Sequence, residues 1–256
     1  MATVFFAFGA ATFAVITGRD GADRLWTSPL TGQPGFLEAS SPTTLTIHAA
    51  LPSGDPLYRL GAGQPVGLVV VEFATRRRVR INGFLARVGV DQLVVEVEQA
   101  YGNCPQYIHQ RRVVPDAPGG SGLDGRRGTA LREADAELIR SADTFFLGTT
   151  HPQRGNDASH RGGPAGFVHV EGNELWWPDF PGNNMFNSFG NLAVDPAAAL
   201  LFPDFRTGRT VALSGTAALE WVSEAAPEIQ EPTGRRVRFT VESVVSGHLL
   251  AAHEAA

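Results

Sequence analysis

Apolar residues in this chain fall into short runs, some continuous and some alternating with polar residues, and clusters of turn-forming residues separate the runs. Gly166-Phe-Val-His-Val170 and Leu175-Trp-Trp177 flank the turn signal Glu171-Gly172-Asn173-Glu174, a pattern that predicts a β-hairpin. Gly67-Leu-Val-Val-Val71 followed by Val79 to Leu85 predicts strands in the first half, and Arg235 to Val245, alternating Val237, Phe239 and Val241, predicts a last strand. A helical period runs from about Ala130 to Ala142, with Thr129 as N-cap and Leu131, Leu138 and Ile139 on one face; this reads as a packing helix. His248 to Ala256 reads as a frayed end.

The chain matches itself. Ser28 with Gly35-Phe36 falls on Ser159 with Gly166-Phe167 at an offset of 131, and Phe73 to Gly83 falls on Phe205 to Gly215 at 132. Thr12-Phe13 is placed on Thr144-Phe145 by the second shift, so the apolar run near the N-terminus reads as a first core strand, not as an export signal. Each copy has five or six short strands, which predicts a small antiparallel barrel. The expected organisation is a first repeat over 1–114, a linker over 115–129 rich in Gly, Pro and Asp, and a second repeat over 130–256.

A chain of 256 residues with 43% hydrophobic residues can bury a sizeable core. Its net charge of −5 argues against a nucleic-acid partner. All 21 basic residues are arginine, which excludes Schiff-base and P-loop lysine chemistry. The lone Cys104 rules out an internal disulfide and suits a reducing, cytoplasmic setting; a buried structural thiol is its default reading and a reactive one the alternative. His151, His160 and His169 recur every nine residues, which matches no zinc pattern, so no metal is expected. No membrane partner is expected either.

Two polar segments flank the central hairpin: Ser159-His160-Arg161-Gly-Gly before it, whose small residues permit close backbone approach, and Asn183-Asn184-Met-Phe186-Asn187-Ser188 after it. With Pro178-Asp179-Phe180, Asn191-Leu192 leading into Asp195-Pro196, and the strand pair Leu200 to Phe205 and Arg209 to Gly215, they resemble the flavin-binding split β-barrels related to pyridoxamine 5′-phosphate oxidase. Asn103-Cys104-Pro105-Gln106-Tyr107 resembles a motif of tandem relatives that approaches the cleft from the other barrel.

The resemblance implies a mainly β protein of two tandem six-stranded split barrels with Greek-key character and few short helices, a fused pseudo-dimer with a cleft between its halves. It implies FMN as cofactor, with FAD or, less readily, haem as alternatives, and a flavin-dependent oxidoreductase acting on a small organic substrate, possible partners being a nicotinamide reductant and a second copy of the chain. A non-catalytic flavin or haem protein, and a barrel that has lost its cofactor, are the other readings. The residues implied for the cofactor are Ser159, His160, Arg161, Asp179, Asn184, Phe186, Asn187 and Ser188, with Asn103 and Tyr107 from the first repeat, and His160 is the candidate catalytic group. Relatives carry Ser-Arg-Lys where this chain has Phe186-Asn187-Ser188, and lysine where it has Gln106, so a phosphate would depend on Arg161, Ser188, Asn187 and a backbone nest. Arg161 either grips phosphate through its planar fork or pairs loosely with Asp157 or Asp179 on a turn. One of Trp176 and Trp177 is available for stacking, since alternation buries the other. Arg76-Arg77-Arg78 with Arg80 reads first as a solvated strand face and second as an anion anchor.

Overall fold

The computed structural model of the chain describes residues 9–116, 125–182, 186–222 and 233–255. Its first half forms one sheet from β1 (Phe13–Arg19), β2 (Leu25–Thr31), β3 (Leu37–Ser41), β4 (Thr44–Ile47), β5 (Pro65–Glu72), β6 (Arg77–Val88) and β7 (Leu93–Gly102), in the spatial order β2-β1-β5-β6-β7-β4-β3. After β8 (Val113–Pro115) and β9 (Gly125–Gly128) comes helix α1 (Glu133–Ser141). The second sheet is built from β10 (Thr144–His151), β11 (Gly155–Gly162), β12 (His169–Glu171), β13 (Glu174–Pro178), β14 (Ala197–Pro203), β15 (Arg209–Trp221) and β16 (Arg235–His248). Its order, β11-β10-β14-β15-β16-β13-β12, repeats that of the first sheet strand for strand, and all its pairs are antiparallel. The fold is mainly β and of split-barrel type, with seven strands on the common path of each sheet where six were expected.

Ladder registers fix the repeat. Phe13 pairs with Thr31 and Thr144 with Gly162, both shifted by 131; Val70 pairs with Val79 and Phe202 with Val211, both shifted by 132. Phe13 therefore corresponds to Thr144, one residue away from the match expected for that strand. Gly35 and Gly166 both have positive φ, 93° and 87°, and each turns the chain so that the following Phe36 or Phe167 is buried. Bulges interrupt both sheets at the matched positions Gly83 and Gly215, where a Cβ would run into the carbonyl oxygen of Glu96 or Thr240.

Three sequence expectations change. The helix begins at Glu133, with Arg132 and Asp135 forming its reciprocal cap, instead of running from Ala130 with Thr129 as cap. The segment assigned to a linker lies partly within the fold, since β9 pairs with β16 along Val244 to Gly247. The C-terminus is not frayed through residue 254, because β17 (Ala252–Glu254) pairs with β8, tying the end of the chain to the end of the first half. The hairpin is found as expected, with Val170 opposite Leu175 and Gly172 at φ 60° in the turn, and Trp177 is the buried member of its pair.

The two halves share a core. Phe13 from the first meets Phe146 and Phe205 from the second, and Phe73 meets Phe205, with ring centroids 5.2 to 5.4 Å apart across the three contacts. Apolar burial at this junction is what holds sheet against sheet. Among the described residues no helix is long and apolar enough to cross a membrane.

Candidate functional site

β6 and β11 face each other across the junction of the halves, and side chains from both meet in a cleft that is partly open to solvent. Alternation along β6 sends Val79 and Ile81 into the core and turns Arg78 and Arg80 towards the second half. The solvated reading of that arginine run holds for Arg76 and Arg77 and fails for Arg78 and Arg80. From the second half come His160 and Arg161 on β11, Trp177 at the end of β13, Asp179, Phe180 and Phe186 beyond it, Ser188 and Phe189 on helix α2 (Asn187–Leu192), and Arg235 opening β16. Asn103, Cys104, Gln106 and Tyr107 close the cleft from the first half.

Charge in this cleft is unbalanced. Arg80 donates to Asp157 at 3.0 Å, and Arg235 donates through Nε and Nη2 to Asp179 at 3.0 and 2.8 Å. Arg78 and Arg161 form no ion pair among the described residues, and the Nε of each is buried without a hydrogen-bond partner. Burial, reinforced by the nearby charge of Arg80, pulls both guanidiniums down to about 10. Among the described residues, four guanidiniums against two carboxylates leave an excess of two positive charges in partly desolvated surroundings. An anionic guest is the group that would balance it.

Asp157 is the pivot between the halves. It accepts from Arg80, from Asn82 at 3.3 Å and Tyr101 at 3.4 Å of the first half, and from Ser188 at 3.5 Å of the second. Asn187 donates to the Tyr101 hydroxyl at 2.9 Å, so the start of α2 is fastened to the opposite half.

His160 lines the cleft with a buried ring. Its Nδ1 accepts from Arg78 Nη1 at 2.9 Å, which puts the proton on Nε2, and that atom is buried without a partner. The ring lies edge-on to Phe146 and Phe73. Burial, then the charges of Arg78 and Arg111, holds the imidazole well below its usual range, so it is neutral. In this arrangement its free ring nitrogen presents no surface to a guest; the imidazole orients Arg78 instead.

The other expected residues divide. Arg161, Asp179, Phe186, Ser188, Asn103 and Tyr107 line the cleft. Ser159 lies behind it, donating to the Leu147 carbonyl, and Asn187 serves the network around Tyr101. Asn184 lies outside the described residues. Arg161 is not on a loose turn but within a strand, its guanidinium 5.5 Å from the ring centre of Phe189. Cys104 is half-buried on the cleft wall, which overturns the buried structural reading. The glycines after Arg161 do permit close approach, and what approaches is protein: a Cβ on Gly162 would meet the carbonyl oxygen of Tyr107. Tyr107 itself sits at φ 65°, its hydroxyl donating to the Pro181 carbonyl at 2.8 Å and its ring stacked on Phe180.

Sequence reasoning missed Arg235 and the part Asp157 plays as a pivot, and gave Arg78 and Arg80 only as a second-choice anion anchor. The readable signal was Arg78 and Arg80 interleaved with Val79 and Ile81, which already placed both cations on one face.

The pseudo-equivalent position on the other side of the junction has lost this chemistry. Leu30 stands where Arg161 does, Pro29 where His160 does, and Thr210 and Ala212 where Arg78 and Arg80 do; Leu30, Thr210 and Ala212 are buried. β9 lies over the loop that carries Asp55, with Gly125 so near the Gly54 carbonyl that a Cβ would stand 2.6 Å from its oxygen.

Comparison with known proteins bears on the second half. Residues 131–246 match the family model described as pyridoxamine 5′-phosphate oxidase. No curated protein matches the chain. Among solved structures, a protein of Clostridium acetobutylicum related to general stress protein 26, of the pyridoxinephosphate oxidase family, is 18% identical, with 46% of this chain covering 89% of that one at a TM-score of 0.31. The heme storage protein HutZ of Vibrio cholerae is 14% identical, with 45% covering 92% at 0.34. A FAD-binding protein of Mesorhizobium loti is 8% identical, with 52% covering 99% at 0.34. These proteins differ in what they bind, and the likeness specifies no ligand. Among the described residues no group of three or more His, Cys, Asp or Glu side chains is placed to hold a metal ion.

Proposed function

We propose, from the premise that residues 131–246 carry a domain of the pyridoxamine 5′-phosphate oxidase family, that this chain is a flavin-dependent oxidoreductase whose cleft between the halves holds an FMN-type cofactor and a small organic substrate. The observation that carries this reading is the pair of guanidiniums, Arg78 and Arg161, with neither carboxylate partner nor complete hydrogen bonding among the described residues. They suit the terminal phosphate of a flavin, and they supply the cations that relatives place on the Ser-Arg-Lys run. Arg78 comes from the first half and Arg161 from the second, so both copies contribute to one anion site.

Flat aromatic walls favour a planar guest over a simple inorganic anion. Tyr107 and Phe180 stack with centroids 5.2 Å apart on one side, and Phe186 and Phe189 stack at 6.1 Å on another. When bound, a flavin supplies hydride or electron transfer. The chain's own groups then bind and orient it: Arg78 held by His160, Arg80 held by Asp157, and the aromatic walls limiting water around the ring. Asn103, whose Oδ1 is buried without a partner, is an acceptor for a flavin N–H or a substrate donor. A haem reading lacks support at this site, because the one imidazole lining the cleft is committed to Arg78 through Nδ1 and buried at Nε2.

The test is the visible spectrum of purified protein after incubation with FMN, followed by gel filtration and steady-state reduction with a nicotinamide donor. Retained flavin bands that bleach with the donor are expected. A colourless protein that does not retain added flavin would end this reading, and a Soret band would replace it with haem.

A further inference from the structure

A series of alternating guanidiniums and aromatic rings leads out of the cleft. Arg161, assigned above to phosphate, lies 5.5 Å from the ring centre of Phe189; Phe189 stacks on Phe186 at 6.1 Å with a 22° interplanar angle; the Arg235 guanidinium lies 5.3 Å from Phe186 and 5.7 Å from Trp221. Arg235 is fixed by its two hydrogen bonds to Asp179, so the planar group between Phe186 and Trp221 is held in place. The series ends in the open, with Phe186 46% and Trp221 74% exposed.

Nothing in the core requires these outer rings. Trp221 sits at the last position of β15 with most of its indole exposed. A large aromatic ring left in water beside a fixed guanidinium is a surface on which a second planar group can stack, through ring–ring and cation–π contact together. The series starts at the residue that grips phosphate, so a planar group joined to that phosphate would extend along it. A mononucleotide flavin carries nothing beyond its phosphate.

We propose that the cleft mouth formed by Trp221, Arg235 and Phe186 is a stacking subsite for an adenine ring, and that the ligand of this site is an adenine dinucleotide, FAD, in preference to FMN. This rests on the flavin reading given above for the cleft and specifies the form of the flavin. Adenine suits the subsite because it is flat and uncharged, and base stacking on an aromatic side chain changes affinity by roughly five- to a hundredfold.

The experiment titrates the full chain and its Trp221→Ala and Trp221→Phe variants with FAD, FMN and ADP, following binding by calorimetry. Wild-type protein is expected to hold FAD about tenfold more tightly than FMN. Trp221→Ala removes that preference while leaving FMN affinity within about twofold, and Trp221→Phe restores most of it. Equal affinities for FAD and FMN in wild type, or an equal loss of both in Trp221→Ala, would overturn the subsite and leave the flavin reading standing. Should neither flavin bind, the flavin reading falls, and ADP decides the subsite by itself: binding weakened about tenfold in Trp221→Ala supports it, and absence of ADP binding overturns it.

Discussion

At the scale of single residues, the chemistry of this protein is set by which charges are answered. Arg80 and Arg235 have carboxylates; among the described residues Arg78 and Arg161 do not. Arg161→Ala is therefore expected to weaken FMN retention roughly ten- to a hundredfold, with riboflavin, which lacks the phosphate, affected far less. Equal losses for the two flavins by equilibrium dialysis would remove Arg161 from the phosphate site. A different imbalance lies in the first half. Asp55 is buried and accepts from Ser28 Oγ at 2.6 Å and from the Leu57 amide at 2.7 Å, yet burial outweighs these bonds and pushes its carboxyl from 3.8 up to about 6. The folded state thus binds this proton more tightly than the unfolded chain does. Stability from this group is full below about pH 4 and is lost as pH rises through about 6. Asp55→Asn keeps an oxygen for both donors and removes the buried charge, so it is expected to stabilise the protein by about 2 kcal/mol at pH 7.5 and by almost nothing near pH 4. Thermal midpoints at the two pH values would show this, and a benefit independent of pH would contradict it.

At the scale of elements, the sheets depend on small residues where strands shift register. Gly83 in β6 and Gly215 in β15 occupy the same place in the two copies, and each lies against the carbonyl of the adjoining strand. Neither has positive φ, so the requirement is for space and not for backbone freedom. Gly215→Ala is expected to cost more than about 2 kcal/mol in chemical unfolding, since the added methyl can be accommodated only by parting β15 from β16. An unchanged denaturant midpoint would show that the bulge relaxes freely. The same crowding at Gly162 sets the closeness of β11 to the Tyr107 loop, so an element of the second half and a loop of the first are positioned by one absent side chain.

At the scale of the whole molecule, the halves are joined too intimately to act as separate units. The Phe13, Phe73, Phe146 and Phe205 cluster, the Asp157 pivot and the β8 to β17 pair each draw residues from both halves of the chain. A single calorimetric transition is expected, with equal van't Hoff and calorimetric enthalpies. Two resolved transitions would show that each sheet holds its own stability. The low polarity of the pseudo-equivalent position fits the same picture. The two copies of the strand order differ in what they bring to the junction, and here Leu30, Thr210 and Ala212 fill one side of it while the other gathers cations.

The sequence by itself determined the strand-rich fold, the internal repeat, the hairpin, the burial of one of Trp176 and Trp177 and a polar stretch around Arg161, because period-two alternation and turn residues act over a few positions and leave a local imprint. It also located Asn103 and Tyr107, through resemblance to tandem relatives. The tertiary structure alone decided that Arg78 and Arg80 face a cleft and not water, that His160 serves Arg78, and that Asp157 binds the halves together. The physical reason is that a strand's alternation says which side chains share a face but not what that face meets. Arg78 and His160 lie 82 positions apart, and their bond exists only because two sheets pack with β6 against β11.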